Sequence, residues 1–240
     1  MMNNFSNNSQ KKIKVALLSF GQTFANNNDI NEIKRRLPSN VELITSGILD
    51  GLSREEVESK YAAHSPSRCY FTKMADGEGI TVDISFVHRK YKECLQLLEG
   101  KVEVIGIMCS SKLPLFTSRT PIIIPYELVK GFLATVRASK PWGIVMPTET
   151  SVFRLQKSFR HLNVDVVYGV LSPGTPSQAA VDNCIQKLHQ QNVFAVVLNC
   201  FGYSQDIADE LQKRLDAPVF RVASLFINVL VEYVHTLLNV

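Results

Sequence analysis

The chain has 240 residues, of which 45% are hydrophobic and 20% charged, as expected for a globular protein of one large or two compact domains. Its formal net charge of +4 is spread without a long Lys/Arg block, which argues against a nucleic-acid-binding surface. The most apolar segment, "VASLFINVLVEYVHTLL", is interrupted by Asn228, Glu232 and His235 and falls short of the roughly 20 apolar residues of a membrane span. We therefore expect a small-molecule partner, and neither nucleic acid nor membrane.

The first half of the chain alternates strand-like and helix-like segments, the pattern of βα units around a parallel sheet. "IKVALLSFG" predicts a strand, followed by a helix with Ile30 and Ile33 on its buried face and Asp29 as its N-cap. "VELITSGIL" predicts the next strand, and "SREEVESKYA" predicts a helix opened by a capping box of Ser53 and Glu56. "RCYFTKM" and "ITVDISF", joined by "ADGEG", predict a β-hairpin.

The same alternation continues to the end of the chain. Strands are predicted at "VEVIGIMCSS", "TPIIIPY", "PWGIVMPTET", "VDVVYGVLSP", "VFAVVLNC" and "APVFRV". Pro125 begins a helix, Ser204 caps the helix "QDIADELQKRL", and an apolar helix ends the chain. In each half, one buried strand ends in a cysteine, at Cys109 and at Cys200, and this recurrence is the main functional signal.

Both cysteines are candidate functional residues, because ligands of open α/β sheets bind outside the carboxyl ends of the strands. Each is followed by residues whose main-chain N–H groups or hydroxyls suit anion binding: Ser110, Ser111, Gly202, Tyr203 and Ser204. The N-terminus of the helix capped by Ser204 is expected to lower the pKa of Cys200 from the free value of about 8.5 and to favour the thiolate. The alternative is a buried structural thiol, which is the favoured interpretation for Cys69, Cys94 and Cys184.

Other kinds of site lack their sequence signals. The chain has no phosphate-binding loop, no dinucleotide-binding fingerprint and no H-E-x-x-H motif, and its five histidines show no metal-ligand spacing. We expect neither a metal nor a cofactor. The five cysteines form no C-x-x-C pair and the leader "MMNNFSNNSQ" is polar, which predicts free thiols in a reducing cytoplasm and a disordered tail at residues 1–10.

Several segments resemble one known family. "LLSFGQT", "GLSREEVESKYA", "WGIVMPTE", "VVLNCFGYSQDIADELQKRLDAPVF" and the apolar C-terminal helix are similar to AroM proteins, within the aspartate/glutamate/hydantoin racemase superfamily, over roughly residues 13–238. This resemblance implies an α/β fold of two flavodoxin-like, three-layer α/β/α domains with mostly parallel sheets and the hairpin inserted in the first domain. The first domain would comprise residues 11–114 and 212–240, and the second residues 115–211.

The resemblance also implies an activity. Racemases of this superfamily use two cysteines, one from each domain, on opposite faces of the substrate carbon and without a cofactor. By resemblance these are Cys109 and Cys200, in a racemase or isomerase of a small carboxylate. The residues implied to hold the carboxylate lie in two loops: Ser19, Gly21, Gln22 and Thr23 in the first, and Thr148 and Thr150 in the second. The chain departs from the racemases after each cysteine, where it has Ser110-Ser111 instead of Asn-Thr and Phe201-Gly202 instead of Thr-His.

Three functions stay open at this point. The first is such an enzyme, with the cysteines as an acid/base pair or one of them as a nucleophile. The second is a carboxylate-binding or regulatory protein that keeps the fold and cleft without the chemistry. The third, a redox-sensitive thiol protein, is disfavoured by the absence of C-x-x-C. A homodimer is also left open.

Overall fold

The computed structural model describes residues 12–23, 27–63, 65 and 68–239, so the predicted tail at residues 1–10 lies outside the described residues. The strands are β1 (Ile13–Ser19), β2 (Val41–Gly47), β3 (Cys69–Lys73), β4 (Gly79–Asp83), β5 (Val104–Met108), β6 (Ile122–Ile123), β7 (Trp142–Met146), β8 (Val166–Val170), β9 (Ala195–Leu198) and β10 (Val219–Arg221). The helices are α1 (Asn28–Arg36), α2 (Arg54–Lys60), α3 (Ile84–Leu98), α4 (Pro125–Thr135), α5 (Glu149–Phe159), α6 (Gln178–Gln190), α7 (Gln205–Leu215) and α8 (Val222–Leu238). No helix in this part of the chain is long and apolar enough to cross a membrane.

Two parallel sheets with the same topology organise the fold. The first has the strand order β2-β1-β5-β6, and the second has the order β8-β7-β9-β10. All strand pairs within each sheet are parallel. In both sheets the first strand lies between the second and the third, which is the flavodoxin-like order. The predicted α/β fold with parallel sheets is therefore confirmed.

Helices cover both faces of each sheet. Ala16 and Leu18 of β1 belong to the core shared with α3, whereas Val15 and Leu17 belong to the core shared with α1 and α8. Successive side chains of a strand point to opposite faces, so a strand covered on both sides is apolar throughout. The second sheet is packed in the same way, between α6 and α7 on one face and α4 and α5 on the other. Each sheet is therefore the middle layer of a three-layer α/β/α arrangement.

The last segment of the chain connects the two halves. β10 pairs with β9 in the second sheet, and α8 then packs on the first sheet and on α1. Phe226, Ile227, Leu230 and Val234 of α8 are fully buried at i, i+1, i+4 and i+8. Burying such side chains contributes about 1.5–3 kcal/mol each relative to exposure. Of the residues 212–240 predicted for the first domain, the strand thus pairs with the second sheet and the helix packs on the first.

The hairpin is confirmed between β3 and β4, which pair antiparallel, and Gly77 in its turn has a φ of +86°. Its second strand is shorter than predicted. "ISF" was assigned to the strand, but Asp83 caps the following helix by accepting a hydrogen bond from the Ser85 N–H, so α3 begins at Ile84. The capping box of Ser53 and Glu56 and the Ser204 cap are confirmed.

One predicted helix cap is wrong. Asn27, and not Asp29, caps α1, because its side chain accepts a hydrogen bond from the Ile30 N–H. Asp29 lies inside the first turn and is buried. Its carboxylate binds Arg221, a partner 192 positions away that helix-start rules do not consider.

Candidate functional site

The carboxyl ends of both sheets line one cavity of about 990 Å³. The segments after β1 and β5 line it from the first sheet, and those after β7 and β9 from the second. Strand β3 of the hairpin lines a further side. Small-molecule sites typically measure about 300–1,000 Å³, so this cavity is large enough for a metabolite.

Twelve of the thirteen residues predicted for the site line this cavity. They are Cys109, Cys200, Ser19, Gly21, Gln22, Ser110, Ser111, Thr148, Thr150, Gly202, Tyr203 and Ser204. Thr23 is not part of the lining. Both cysteines are partly buried free thiols. The fold therefore brings a cysteine from each sheet to one cavity.

A direct hydrogen bond joins the two cysteine segments. The hydroxyl of Ser110 donates to the carbonyl oxygen of Asn199 over 2.8 Å, and both residues are buried. Ser110 follows Cys109, and Asn199 precedes Cys200. The bond thus joins the end of β5 to the end of β9 in the lining of the cavity.

Burial raises the pKa of the Cys109 thiol above its ordinary value. The main-chain N–H and the hydroxyl of Ser111 lower this pKa in part, because both form hydrogen bonds that favour the thiolate. Burial has the larger effect, so at neutral pH Cys109 is a thiol with two hydrogen-bonding groups placed to stabilise its ionised form.

Burial likewise raises the pKa of Cys200, to about 11. The N–H of Gly202, whose nitrogen is 3.4 Å from Sγ, lowers this pKa in part, a negative charge on Cys109 raises it further, and Lys73 lowers it. The expectation that the N-terminus of α7 makes Cys200 a thiolate is wrong in this structure. Removal of the sulfur from water outweighs the hydrogen bond from Gly202 and the charge of Lys73.

The side chain of Gln22, predicted to bind substrate, holds the cavity wall together. Its Nε2 donates to the carbonyl oxygens of Leu49 and Leu52 at 3.2 and 2.7 Å, and its Oε1 accepts from the Ala75 N–H at 2.8 Å. Thr23, from the same loop, bonds through its N–H and hydroxyl to the carboxylate of Asp50 at 2.8 and 2.9 Å. The polar groups of Gln22 and Thr23 are therefore hydrogen-bonded within the protein.

Two other predicted binding residues have structural partners. The hydroxyl of Tyr203, whose side chain is only 2% exposed, donates to the carbonyl oxygen of Leu171 over 2.6 Å. Thr148 caps α5 through its hydroxyl, which accepts from the Ser151 N–H at 3.1 Å. Both residues shape the cavity through hydrogen bonds to their own half of the chain.

A buried ion pair at the cavity was missed by the sequence analysis. Arg221 donates to Asp29 over 2.7 Å, and the two side chains are 10% and 8% exposed. Arg221 also donates to the carbonyl oxygen of Tyr203 at 3.0 Å, so it ties the loop after Cys200 to α1. Burial raises the pKa of Asp29, and Arg221 partly offsets this. A charged residue in the otherwise apolar segment "APVFRVA" was the available sequence signal.

A second arginine, on α5, contacts strand β3 of the hairpin. Arg154 of α5 donates to the carbonyl oxygen of Cys69 over 2.9 Å and lies 5.5 Å from the ring centroid of Tyr70. The Tyr70 hydroxyl in turn donates to the carbonyl oxygen of Lys112 at 3.1 Å. Arg154 therefore joins the hairpin of the first half to a helix of the second.

The charge of the cavity favours anions. Six Lys/Arg side chains line it, against three carboxylates. The cations are Arg35, Lys73, Lys112, Arg154, Lys157 and Arg221, and the carboxylates are Asp29, Glu32 and Asp206. Within the described residues, no group of three His, Cys, Asp or Glu is placed to hold a metal ion.

Comparison with solved structures shows the same fold. The chain is similar to the allantoin racemase of Klebsiella pneumoniae, with a TM-score of 0.59, 14% identity and coverage of 94% of this chain and 88% of the other. It is similar to the glutamate racemase of Aquifex pyrophilus, with a TM-score of 0.59, 16% identity and coverage of 92% and 84%. For unliganded arylmalonate decarboxylase the TM-score is 0.56, the identity 14% and the coverage 92% of each chain.

Sequence comparison gives the family. No curated protein sequence matches this chain significantly. The family model described as "AroM protein" matches residues 15–234, which is most of the chain and spans both sheets and both cysteines. The chain therefore belongs to the AroM family, and it has the fold of the aspartate/glutamate and allantoin racemases.

Proposed function

We propose that this chain is a cofactor-independent racemase or isomerase of a small carboxylate, with Cys109 and Cys200 as its acid/base pair. The observation that carries the proposal is that both cysteines line one cavity, with their segments joined by the Ser110–Asn199 hydrogen bond. The excess of cationic side chains in the lining suits an acid. The fold is shared with racemases and a decarboxylase, which is support by analogy.

The electrostatics of the two thiols suit proton transfer in both directions. A negative charge on Cys109 raises the pKa of Cys200, so the pair favours one thiolate and one thiol over two thiolates. In the proposed reaction, the thiolate removes the α-hydrogen as a proton, and the thiol on the other side gives its proton to the resulting carbanion. The protonation states of the two cysteines then exchange, and the reverse reaction uses them in the opposite roles.

A second candidate function is a carboxylate-binding protein without turnover. The environment of Phe201 favours it, because its ring packs against Phe226 at a centroid distance of 5.5 Å and supplies no acid or base beside Cys200. The raised pKa values of both thiols also favour it, since a base must be ionised to act. This candidate predicts tight binding, no turnover, and unchanged binding in Cys109→Ser.

The two candidates are separated by hydrogen exchange. Amino, hydroxy and dicarboxylic acids are incubated with the protein in deuterated water, and deuterium at the α-carbon is measured by mass spectrometry. The enzyme proposal predicts incorporation for at least one acid and its loss in Cys200→Ser. Binding of an acid without any incorporation would favour the second candidate.

Two further expectations from the sequence belong with this proposal. None of the five cysteines, all of which lie within the described residues, forms a disulfide, and this supports a reducing compartment such as the cytoplasm. The homodimer stays a prediction, and sedimentation of the purified chain measures it directly.

A further inference from the structure

Lys73 stands out among the cations that line the cavity. It is the last residue of β3, at the end of the hairpin strand nearest the turn, and its side chain is half-buried. Arg35, Lys112 and Lys157 line the same cavity but are exposed, so water solvates their charges. Lys73 is therefore more buried than these three cations of the cavity wall.

The backbone of Lys73 is fixed against the loop after β1. Its carbonyl oxygen accepts a hydrogen bond from the Gln22 N–H at 3.0 Å, and the Gln22 side chain accepts one from Ala75 two residues further on. Gly21 packs so close to this strand that a Cβ there would overlap the Lys73 carbonyl oxygen. These contacts with the loop after β1, and not the hairpin alone, therefore fix the backbone position of Lys73.

Lys73 also differs from the other half-buried cations in its partners. Arg221 is paired with Asp29, and Arg154 donates to the carbonyl oxygen of Cys69. Within residues 12–23, 27–63, 65 and 68–239, no ion pair or side-chain hydrogen bond involves the Lys73 ammonium. Its charge does act on one group of the site, because it lowers the pKa of the Cys200 thiol against the effect of burial.

We propose that Lys73 is the carboxylate-binding residue of the cavity, and that the hairpin holds its ammonium where it receives the acid group of a ligand bound at Cys200. The ligand class is a small acid whose carboxylate lies within a few bonds of the carbon presented to the Cys200 sulfur. A charge-assisted hydrogen bond from an ammonium is stronger than a neutral one and discriminates against the uncharged amide of the same shape. The inference rests on the proposed function only in placing the ligand at Cys200.

Two alkylating reagents test this without requiring turnover. Iodoacetate and iodoacetamide both react with a thiolate, which displaces iodide and forms an S–C bond, while the thiol proton goes to solvent. They have nearly the same shape, but iodoacetate carries a carboxylate. The rate of Cys200 modification by each is followed by peptide mass spectrometry at pH 9, and the iodoacetate/iodoacetamide ratio is divided by that for glutathione. The thiolate fraction cancels in this ratio.

We expect a normalised ratio well above one for the wild type and a fall of about tenfold in Lys73→Met, the size of one charge-assisted hydrogen bond. Lys73→Arg should retain most of the preference. Lys112→Met and Lys157→Met are the matched controls, since each removes an exposed cation from the same cavity, and each should lower the ratio much less than Lys73→Met does. Lys73→Gln replaces Lys73→Met if the latter does not fold.

An unchanged ratio in a folded Lys73 variant would overturn the proposal, whether or not both rates fall together. Equal slowing with both reagents would mean that Lys73 acts only on the ionisation of Cys200. Failure of both reagents to reach Cys200 in the native protein would overturn it as well. A preserved preference in a protein that exchanges no α-hydrogen would contradict the racemase proposal and leave the Lys73 subsite standing.

Discussion

The hydroxyl of Ser110 donates a 2.8 Å hydrogen bond to the carbonyl oxygen of Asn199, and this buried contact connects the residues adjacent to the two cysteines. Parallel sheets place the carboxyl ends of their strands at one edge, so two sheets that face each other through these edges create a shared cavity. The Ser110–Asn199 bond joins the two edges where they line that cavity.

Removal of this hydroxyl tests the connection. We expect Ser110→Ala to lower the free energy of unfolding by about 1–3 kcal/mol, because the buried carbonyl oxygen of Asn199 loses its side-chain donor. The rate of α-hydrogen exchange should fall by more than the loss of folded protein explains, because the hydrogen bond that joins the two cysteine segments is gone. Urea unfolding measures the first effect.

Ser59→Ala is the control for Ser110→Ala. The Ser59 hydroxyl donates over 2.6 Å to the carbonyl oxygen of Glu55 on an exposed helix, and its loss should cost less than about 0.5 kcal/mol, the limit for surface substitutions. Equal costs for the two variants would contradict the structural role of Ser110.

The buried Asp29–Arg221 ion pair should contribute much more to the free energy of unfolding than a surface ion pair with a similar N–O distance. Asp29→Ala leaves Arg221 buried without its carboxylate, and breaking a buried pair in this way typically costs about 3–5 kcal/mol. Asp182→Ala breaks a 2.8 Å pair with Arg214 on the surface, and exposed pairs contribute about 0–1 kcal/mol. Thermal and urea unfolding of both variants compares them directly. A double variant, Asp29→Ala with Arg221→Met, should recover part of the loss, and no recovery would show that the two residues act independently.

Stability should fall at alkaline pH. In the unfolded chain a cysteine ionises near its free pKa of about 8.5, whereas burial keeps Cys200 and Cys184 protonated in the folded chain up to a pKa of about 11. Between these values the unfolded state has released more protons than the folded state, so the free energy of unfolding decreases as pH rises from about 9 to 11. Urea midpoints at pH 8 and 10.5 measure the decrease. It should be smaller in Cys200→Ser, and an identical decrease would mean that burial does not perturb this thiol.

Gly21 should tolerate no side chain. A Cβ there would overlap the Lys73 carbonyl oxygen, so Gly21→Ala must push the hairpin away from the loop after β1, at a cost of about 1–3 kcal/mol. The iodoacetate preference of Cys200 should fall at the same time, because Lys73 moves with the hairpin. Gly131→Ala is the control of opposite sign: no atom lies within 4 Å of its new methyl group, and in a helix this change stabilises by about 0.5–1 kcal/mol. A neutral Gly21→Ala would contradict the close packing.

The sequence predicted those features that depend on local patterns. Alternating apolar strands and helices predicted the α/β fold, and the capping box at Ser53 predicted the start of a helix. The end of an apolar strand is visible in the sequence, so Cys109 and Cys200 were placed at strand ends, and both line the cavity.

Features that depend on long-range contacts were not predicted. Asp29 follows the rules for a helix cap, but its partner is on β10. Lys73 in the hairpin is an ordinary exposed lysine by sequence, and only packing against Gly21 and Gln22 gives it a fixed place in the cavity. The thiolate predicted for Cys200 was wrong because desolvation is set by the surrounding three-dimensional packing.

The central claim, that Cys109 and Cys200 form one acid/base pair, is tested most directly by enantiomer-resolved exchange. Each enantiomer of a responsive acid is incubated in deuterated water with the wild type, Cys109→Ser and Cys200→Ser, and chirality and α-deuterium are both measured. We predict racemisation with α-deuterium incorporation by the wild type and no racemisation by either variant. Racemisation that persists in either cysteine variant would contradict the claim.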